Sequence, residues 1–226
     1  MKVYLQEVSE RMAKSGDTVP AVRSAFKKGY SFSHLPFEEQ LAVWEFIWKN
    51  AHSWRVKAQA FFYCERFAVR EEHAGAAWRA LKHWQNQVND WPFCDSLSKI
   101  YTKHLEFFPD EVFAQLKKWN KDKDPWKRRQ SLVSLLYYAR TKKKHLAFNQ
   151  ILPLIENLVH DKEYYVQKGV GWSLRELYNV YPQKTFAWMK KNIRGISAIA
   201  FSAATEKVTT QEKKILKSLR KLPDRA

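Results

Sequence analysis

The chain has 226 residues, 45 % hydrophobic and 15 % aromatic, with 40 Lys and Arg against 23 Asp and Glu, a formal net charge of +17. That length and apolar content can build a sizeable core, and so large a positive excess argues against an enzyme of small neutral metabolites and for a polyanionic partner, nucleic acid before an anionic membrane surface. Two cysteines, Cys64 and Cys94, exclude a disulfide framework or a four-cysteine zinc site; no apolar run approaches the roughly 18 residues of a membrane span, and the N-terminus lacks the apolar core of a secretory signal, so a reducing cytoplasm is the expected setting.

Only 6 glycines occur, hairpin dipeptides are absent, and apolar residues recur at three- and four-residue spacing. The pattern predicts an all-α fold of about a dozen short helices. Residues 1–14 give a first amphipathic helix, and Gly16-Asp17-Thr18 breaks it. Pro20 starts a second helix, and Pro36-Phe37-Glu38-Glu39 opens a third with Trp44, Ile47 and Trp48 on its buried side. Ser53-Trp54-Arg55-Val56 begins another, and residues 72–88 read as one polar-faced helix through Trp78, Leu81 and Trp84.

Asp90-Trp91-Pro92-Phe93-Cys94-Asp95-Ser96 marks the next helix start, since proline fits the first helical position, where its missing N–H is unbonded anyway. Trp91 and Asp95, four apart, share one face near the N-terminus, where unbonded amides favour negative charge. By itself this is ordinary: acidic first turns are common, and a tryptophan there is usually a packing residue.

Trp54, Trp91, Trp126 and Tyr164 each lie at a helix start, 37, 35 and 38 residues apart. Each interval holds two helices and two loops, the signature of stacked helix pairs in a repeat solenoid. The prediction is a single helical-repeat domain over residues 1–226. Such a domain is a right-handed solenoid of HEAT-like antiparallel helix pairs, with a concave basic groove.

Basic residues crowd the second half: Lys117 to Arg129, then Arg140 with Lys142 to Lys144, then Lys184, Lys190, Lys191 and Arg194, then Lys213, Lys214, Lys217, Arg220 and Lys221. About half of such lysines only keep a protein soluble; the remainder fit a phosphate-binding surface. Gly169 and Gly171, inside the helix that carries Trp172, each cost about 1 kcal/mol relative to alanine. Close helix packing is the favoured reason, a ligand's approach the other. The seven histidines show no paired ligand spacing.

Asp-x-x-x-Trp-x-x-Arg at 122–129 and Glu163-Tyr164-Tyr165-Val166-Gln167-Lys168-Gly169-Val170-Gly171-Trp172-Ser173-Leu174-Arg175-Glu176 resemble the AlkD family of DNA alkylation-repair glycosylases. The second segment is the specific one, and the similarity runs from about residue 85 to 192. The resemblance implies a HEAT-like solenoid that clasps duplex DNA and excises cationic N3- and N7-alkylated purines. It places the family's Trp-x-x-x-Asp motif on Trp91 and Asp95, its arginine on Arg129 and its tryptophan on Trp172. Trp126, Arg128 and Lys168, in the same segments, are the further expected DNA contacts. Asp95-Ser96-Leu97-Ser98 also resembles the family's Asp-Ser-Val-Asp, which would put Ser98 at the catalytic position; matching Trp-x-x-x-Asp keeps tryptophan and carboxylate together and selects Asp95. The chain departs from the family at Pro92 and after Asn192.

These residues suit that chemistry. An N-alkylated purine is already cationic and leaves readily, so a carboxylate beside the sugar has only to stabilise the growing oxocarbenium charge and orient water. Asp95 has that role. Aromatic faces at Trp91 and Trp172 attract the cationic base, and Arg129 holds a phosphate or braces Asp95. No step needs a metal or other cofactor, and the expected partner of a monomeric protein is double-stranded DNA, with no membrane. The competing readings are a non-catalytic relative that recognises damaged or branched DNA, and a helical scaffold for an acidic protein.

Overall fold

The computed structural model describes residues 1–141 and 144–221, and all of their regular structure is helical. Lys142 and Lys143 of the second basic cluster lie outside the described residues. The chain divides into two compact units, Met1–Asn89 and Asp90–Ala226.

The first unit contains α1 (Lys2–Ala13), α2 (Val19–Lys27), α3 (Phe37–Asn50), α4 (Trp54–Tyr63) and α5 (Glu71–Leu81). A π-turn at Cys64–Ala68 and a 3-10 turn at Trp84–Gln87 complete it. Thr18 caps α2 by accepting the Ala21 N–H, with Pro20 in the first turn. The core is aromatic. Trp48 stacks on Trp84 at 4.9 Å and 11°, and Trp44 meets Phe32 at 5.0 Å and Tyr30 at 5.5 Å. This core corrects the helix read over 72–88. The chain stops being α-helical after Leu81, and the freed Trp84 carbonyl accepts the Trp48 indole N–H at 3.0 Å. A tertiary stack thus overrides the local helical pattern.

The second unit holds α6 (Trp91–Phe107), α7 (Pro109–Trp119), α8 (Pro125–Val133), α9 (Phe148–Leu158), α10 (Tyr164–Val180), α11 (Pro182–Asn192), α12 (Ala198–Ala204) and α13 (Thr210–Lys221), with a 3-10 turn at Ala139–Thr141. The predicted period is visible as register: Trp54, Trp91 and Tyr164 are the first residues of α4, α6 and α10, and Trp126 is the second of α8. Local chemistry starts these helices. Asp90 accepts the Phe93 N–H at 2.9 Å and Asp124 the Trp126 N–H at 2.8 Å, each beside a proline in the first turn. Pro92 is the second helical residue rather than the first, because Asp90 serves as the cap.

Helices pair along the chain, α6 with α7, α8 with α9 and α10 with α11, and the leading helices stack in the order α6, α8, α10, α12. Hydrogen bonds bind the seams between pairs. Gln130, fully buried, donates to Ser98 Oγ at 2.6 Å and Ser134 Oγ at 2.7 Å; Asn120 donates to Ser131 Oγ and to the Leu154 carbonyl. Gln167 donates to the carbonyls of Leu158, Val159 and Asp161, and its own oxygen accepts from Ser197 at 2.6 Å. Gly171 is explained by close packing: a Cβ there would lie 2.3 Å from the Ala200 carbonyl oxygen of α12.

Candidate functional site

The site grows from the starts of α6, α8 and α10. Trp91, the first residue of α6, is 52 % exposed, and one turn on stands Asp95. Asp95 Oδ1 accepts from Arg129 Nη2 at 2.6 Å, where the arginine side chain is 6 % and the aspartate 28 % exposed. Arg129 Nη1 donates to the Tyr165 carbonyl at 2.8 Å, so one guanidinium on α8 ties α6 to α10. Gly169 of α10 lies against its stem, where even a Cβ would make an ordinary contact, 3.4 Å from Arg129 Cγ.

Beside this ion pair is an open cavity of about 340 Å³, lined by Trp91, Arg129, Tyr164, Tyr165 and Lys168. Trp126 packs on Tyr165 at 5.1 Å, Tyr164 meets Tyr165 edge-on, and the Lys168 ammonium lies over the Tyr164 ring at 5.8 Å. The walls are aromatic, with a lysine at one side and the Asp95–Arg129 pair adjoining. A larger cavity of about 410 Å³ in the first unit is lined by residues such as Ser9, Met12, His52 and Arg55, with no tryptophan, tyrosine or phenylalanine. Size therefore does not select the site; the grouping of charge and aromatic surface does. Among the described residues no group of His, Cys, Asp and Glu could hold a metal ion, and no helix is long and apolar enough to cross a membrane.

Ser98 has no exposure and is engaged by Cys94, Gln130 and Ser134, whereas Asp95 retains access to solvent. The geometry thus favours Asp95 over Ser98. Cys94 is also buried; burial pushes its thiol up, and the nearby Arg129 charge only partly offsets this, so it remains an unreactive thiol.

The remaining candidates lie apart from that cavity lining. Arg128 makes a paired ion bridge to Asp161, at 2.6 and 3.3 Å, and donates to the Asp122 and Lys123 carbonyls. Its guanidinium is occupied as a staple between the α7–α8 loop and the start of α10, not offered to a ligand. Trp172 follows Lys168 by one turn on the same stripe of α10, but its ring packs on Tyr137 at 5.7 Å and Tyr138 at 6.4 Å, with the Arg175 guanidinium 5.4 Å over it. Tyr164 and Tyr165 were not among the sequence candidates for the site. Their available signal was the repeat itself, which sets them in register with Trp91 and Trp126.

The sequence profile of a family described as "DNA alkylation repair enzyme" matches residues 1–208. A predicted DNA alkylation repair enzyme from Enterococcus faecalis is structurally similar, with a TM-score of 0.69 and 18 % identity over 92 % of this chain and 96 % of that one. AlkD2 from Streptococcus mutans is similar with a TM-score of 0.60 and 16 % identity, over 97 % of this chain and 96 % of that one. Identities this low compare folds alone. None of the curated proteins matches the sequence.

Proposed function

The chain belongs to the family of DNA alkylation repair enzymes, and from that premise we propose that it is a monofunctional DNA glycosylase excising cationic N3- and N7-alkylated purines from duplex DNA. The observation that carries the reading is the Asp95–Arg129 pair: a carboxylate fixed at 2.6 Å by a buried guanidinium, still 28 % exposed, beside an aromatic-lined cavity.

In the proposed reaction the C1′–N bond of the alkylated nucleotide breaks, and its electron pair leaves with the purine, cancelling the base's positive charge. The deoxyribose gains oxocarbenium character, which the Asp95 carboxylate stabilises. Water then adds at C1′ and loses a proton, leaving an abasic site and the free alkylpurine. Preorganisation supports this role for Asp95, because Arg129 is itself held by the Tyr165 carbonyl and need not move as charge develops. Trp91 and the paired tyrosines offer faces to sugar and cationic base, and Lys168 suits a flanking phosphate. Arg129, 5 % exposed, braces the carboxylate rather than reaching for the backbone. The protein would act as a cytoplasmic monomer on the duplex, holding it largely through phosphates and with little sequence preference.

Incubation of the purified protein with N7-methylguanine-containing duplex tests the reading. Release of free N7-methylguanine supports it. Salt-sensitive duplex binding without release would replace it with a non-catalytic DNA-binding role, and absence of duplex binding at moderate salt would leave the acidic-protein scaffold.

A further inference from the structure

From Tyr164 to Lys221 the side-chain carboxylates are Glu176, Glu206 and Glu212. All of them gather at the C-terminal end of α10. Glu176 accepts from the Ala139 N–H and from Arg175, Glu206 pairs with Arg175 at 2.7 Å, and Glu212 accepts from the Tyr178 hydroxyl at 2.7 Å. Each is thereby occupied.

The opposite end of the same helices has another character. α10 begins there, and so does α12, whose cap Ser197 donates to Gln167 Oε1 at 2.6 Å. The α9–α10 loop meets the α11–α12 loop, since a Cβ on Gly195 would lie 2.9 Å from His160 Cε1. The last turn of α13 joins them through Arg220, which donates to the carbonyls of Ile193 and Ile196. Toward the cavity, Asp161 takes the Arg128 guanidinium and the Tyr165 carbonyl takes Arg129. A continuous edge therefore runs from the cavity over two loops to the end of α13.

Along this edge stand Lys162, Lys190, Lys191, Lys217 and Lys221, all exposed, and among the described residues no carboxylate pairs with them. Asp161 is spent on Arg128; Glu163, at the start of α10, is left exposed. Cations in the last turn of a helix also complement its dipole, as Lys190 and Lys191 do for α11. That role explains neither Lys162, which lies in a loop, nor the withdrawal of Glu176, Glu206 and Glu212 to the far end. An anionic lipid surface would call for an apolar face to insert, whereas α11 and α13 turn Met189 and Leu216 fully inward.

We propose that this edge is a second phosphate-binding surface, which holds the backbone of the duplex flanking the lesion on the α12–α13 side of the cavity. The proposal rests on the reading of the protein as an enzyme of duplex DNA. Ammonium groups on flexible stems suit the task, because phosphates are neutralised one by one and no base is read. The family profile ends at residue 208, so Lys217 and Lys221 extend the edge beyond it.

Two triple variants of equal charge change separate place from total charge. One is Lys162→Gln with Lys191→Gln and Lys217→Gln, taking one lysine from each element of the edge. The other is Lys184→Gln with Lys207→Gln and Lys213→Gln, at the far end. Melting temperature and affinity for an undamaged duplex are measured over a range of salt concentrations. The edge triple should lower the slope of log affinity against log salt by about 2 to 3, since each lost phosphate contact removes about 0.9, and should weaken low-salt binding at least about tenfold. The far-end triple should leave the slope within about 0.5 and affinity within about threefold. An unchanged slope in the edge triple, with or without a lower melting temperature, overturns the proposal and leaves the repair reading intact. So does an equal or larger loss in the far-end triple. A wild-type protein that releases no N7-methylguanine and binds vesicles of anionic phospholipid rather than duplex overturns the repair reading, and the edge's role in holding DNA with it.

Discussion

Two helix starts in the same repeat register have opposite characters. Trp54 opens α4 and Trp91 opens α6, exposed by 43 % and 52 %. Four residues on, the first has Ala58, 7 % exposed, and the second has Asp95 with its arginine. The contrast extends to the units around them. Met1–Asn89 is filled by stacked tryptophans, tyrosines and phenylalanines, whereas the leading helices of Asp90–Ala226 meet through Gln130, Ser98, Ser134 and Arg129. Apolar packing supplies stability without much orientation; hydrogen bonds fix angle and distance. The aromatic helix start is thus a scaffold feature in both units: at α4 it stands beside Arg55, which pairs with Asp17, and Gln59 ties α4 to α2, whereas at α6 it is followed by a carboxylate braced by a buried arginine.

The sharpest test of that division lies in the aromatic core. Trp48→Ala removes a fully buried ring stacked on Trp84 and should cost about 3 to 5 kcal/mol of stability, read as a lowered melting temperature. Below that temperature, single-turnover excision should stay within about twofold of wild type. A large loss of excision in the folded variant would break the comparison.

Asp95→Asn keeps shape and removes charge, and excision should fall by roughly 10²–10³-fold, as when one preorganised electrostatic partner is lost. Duplex affinity should hold or improve, since a negative charge facing phosphates is gone. Arg129→Ala leaves Asp95 unbraced; excision should drop by at least about tenfold, with duplex affinity little changed because the guanidinium is buried. Full activity in Asp95→Asn would end the catalytic assignment and make the residue a helix-start feature, like its counterparts elsewhere in the repeat.

The two glycines of α10 differ in how closely their neighbours approach. Gly171→Ala drives a Cβ to 2.3 Å from the Ala200 carbonyl oxygen and should destabilise by about 1 to 3 kcal/mol. Gly169→Ala meets Arg129 Cγ at 3.4 Å, Arg129 Nη1 at 3.7 Å and Leu132 Cδ1 at 3.8 Å, all ordinary contacts; its change in stability should be below about 1 kcal/mol. Melting curves of the two variants decide this.

The smallest expected effect concerns the loop before α8. The Asp124 backbone N–H, at 2.9 Å, holds Asp122 below the usual carboxylate range, with burial opposing and Lys127 adding to the shift. A depressed folded-state value gives stability that is present above the unfolded value and is lost as pH falls through the folded one. Asp122→Asn should therefore narrow the gap between melting temperatures at neutral pH and below about pH 4. The difference should be under about 1 kcal/mol, because the side chain is exposed enough for solvent to screen it.

The helix starts could be read from the sequence because they are written locally, in an aromatic residue and, at α6 and α8, a nearby proline and a capping aspartate. The break after Leu81 could not, since Trp48, far away in sequence, creates the competing stack. The site follows the same rule. Trp91, Arg129 and Lys168 line one cavity and Asp95 joins them through Arg129, while Trp172, which the motif grouped with Trp91, Asp95 and Arg129, packs on Tyr137 and Tyr138 outside that lining. Arg128 is absorbed by Asp161, a partner 33 residues away that no motif records. The Tyr165 carbonyl that anchors Arg129 is a backbone group, which any residue at that position would supply.

Arg129 joins a carboxylate 34 residues before it to a carbonyl 36 residues after it. During synthesis, Asp95 leaves the ribosome long before Tyr165 does, and through that interval its partner lacks its second anchor. Completion of the site is therefore a late event in the life of the chain. A nascent or truncated polypeptide ending before α10 carries the Asp95 carboxylate without the doubly anchored arginine beside it.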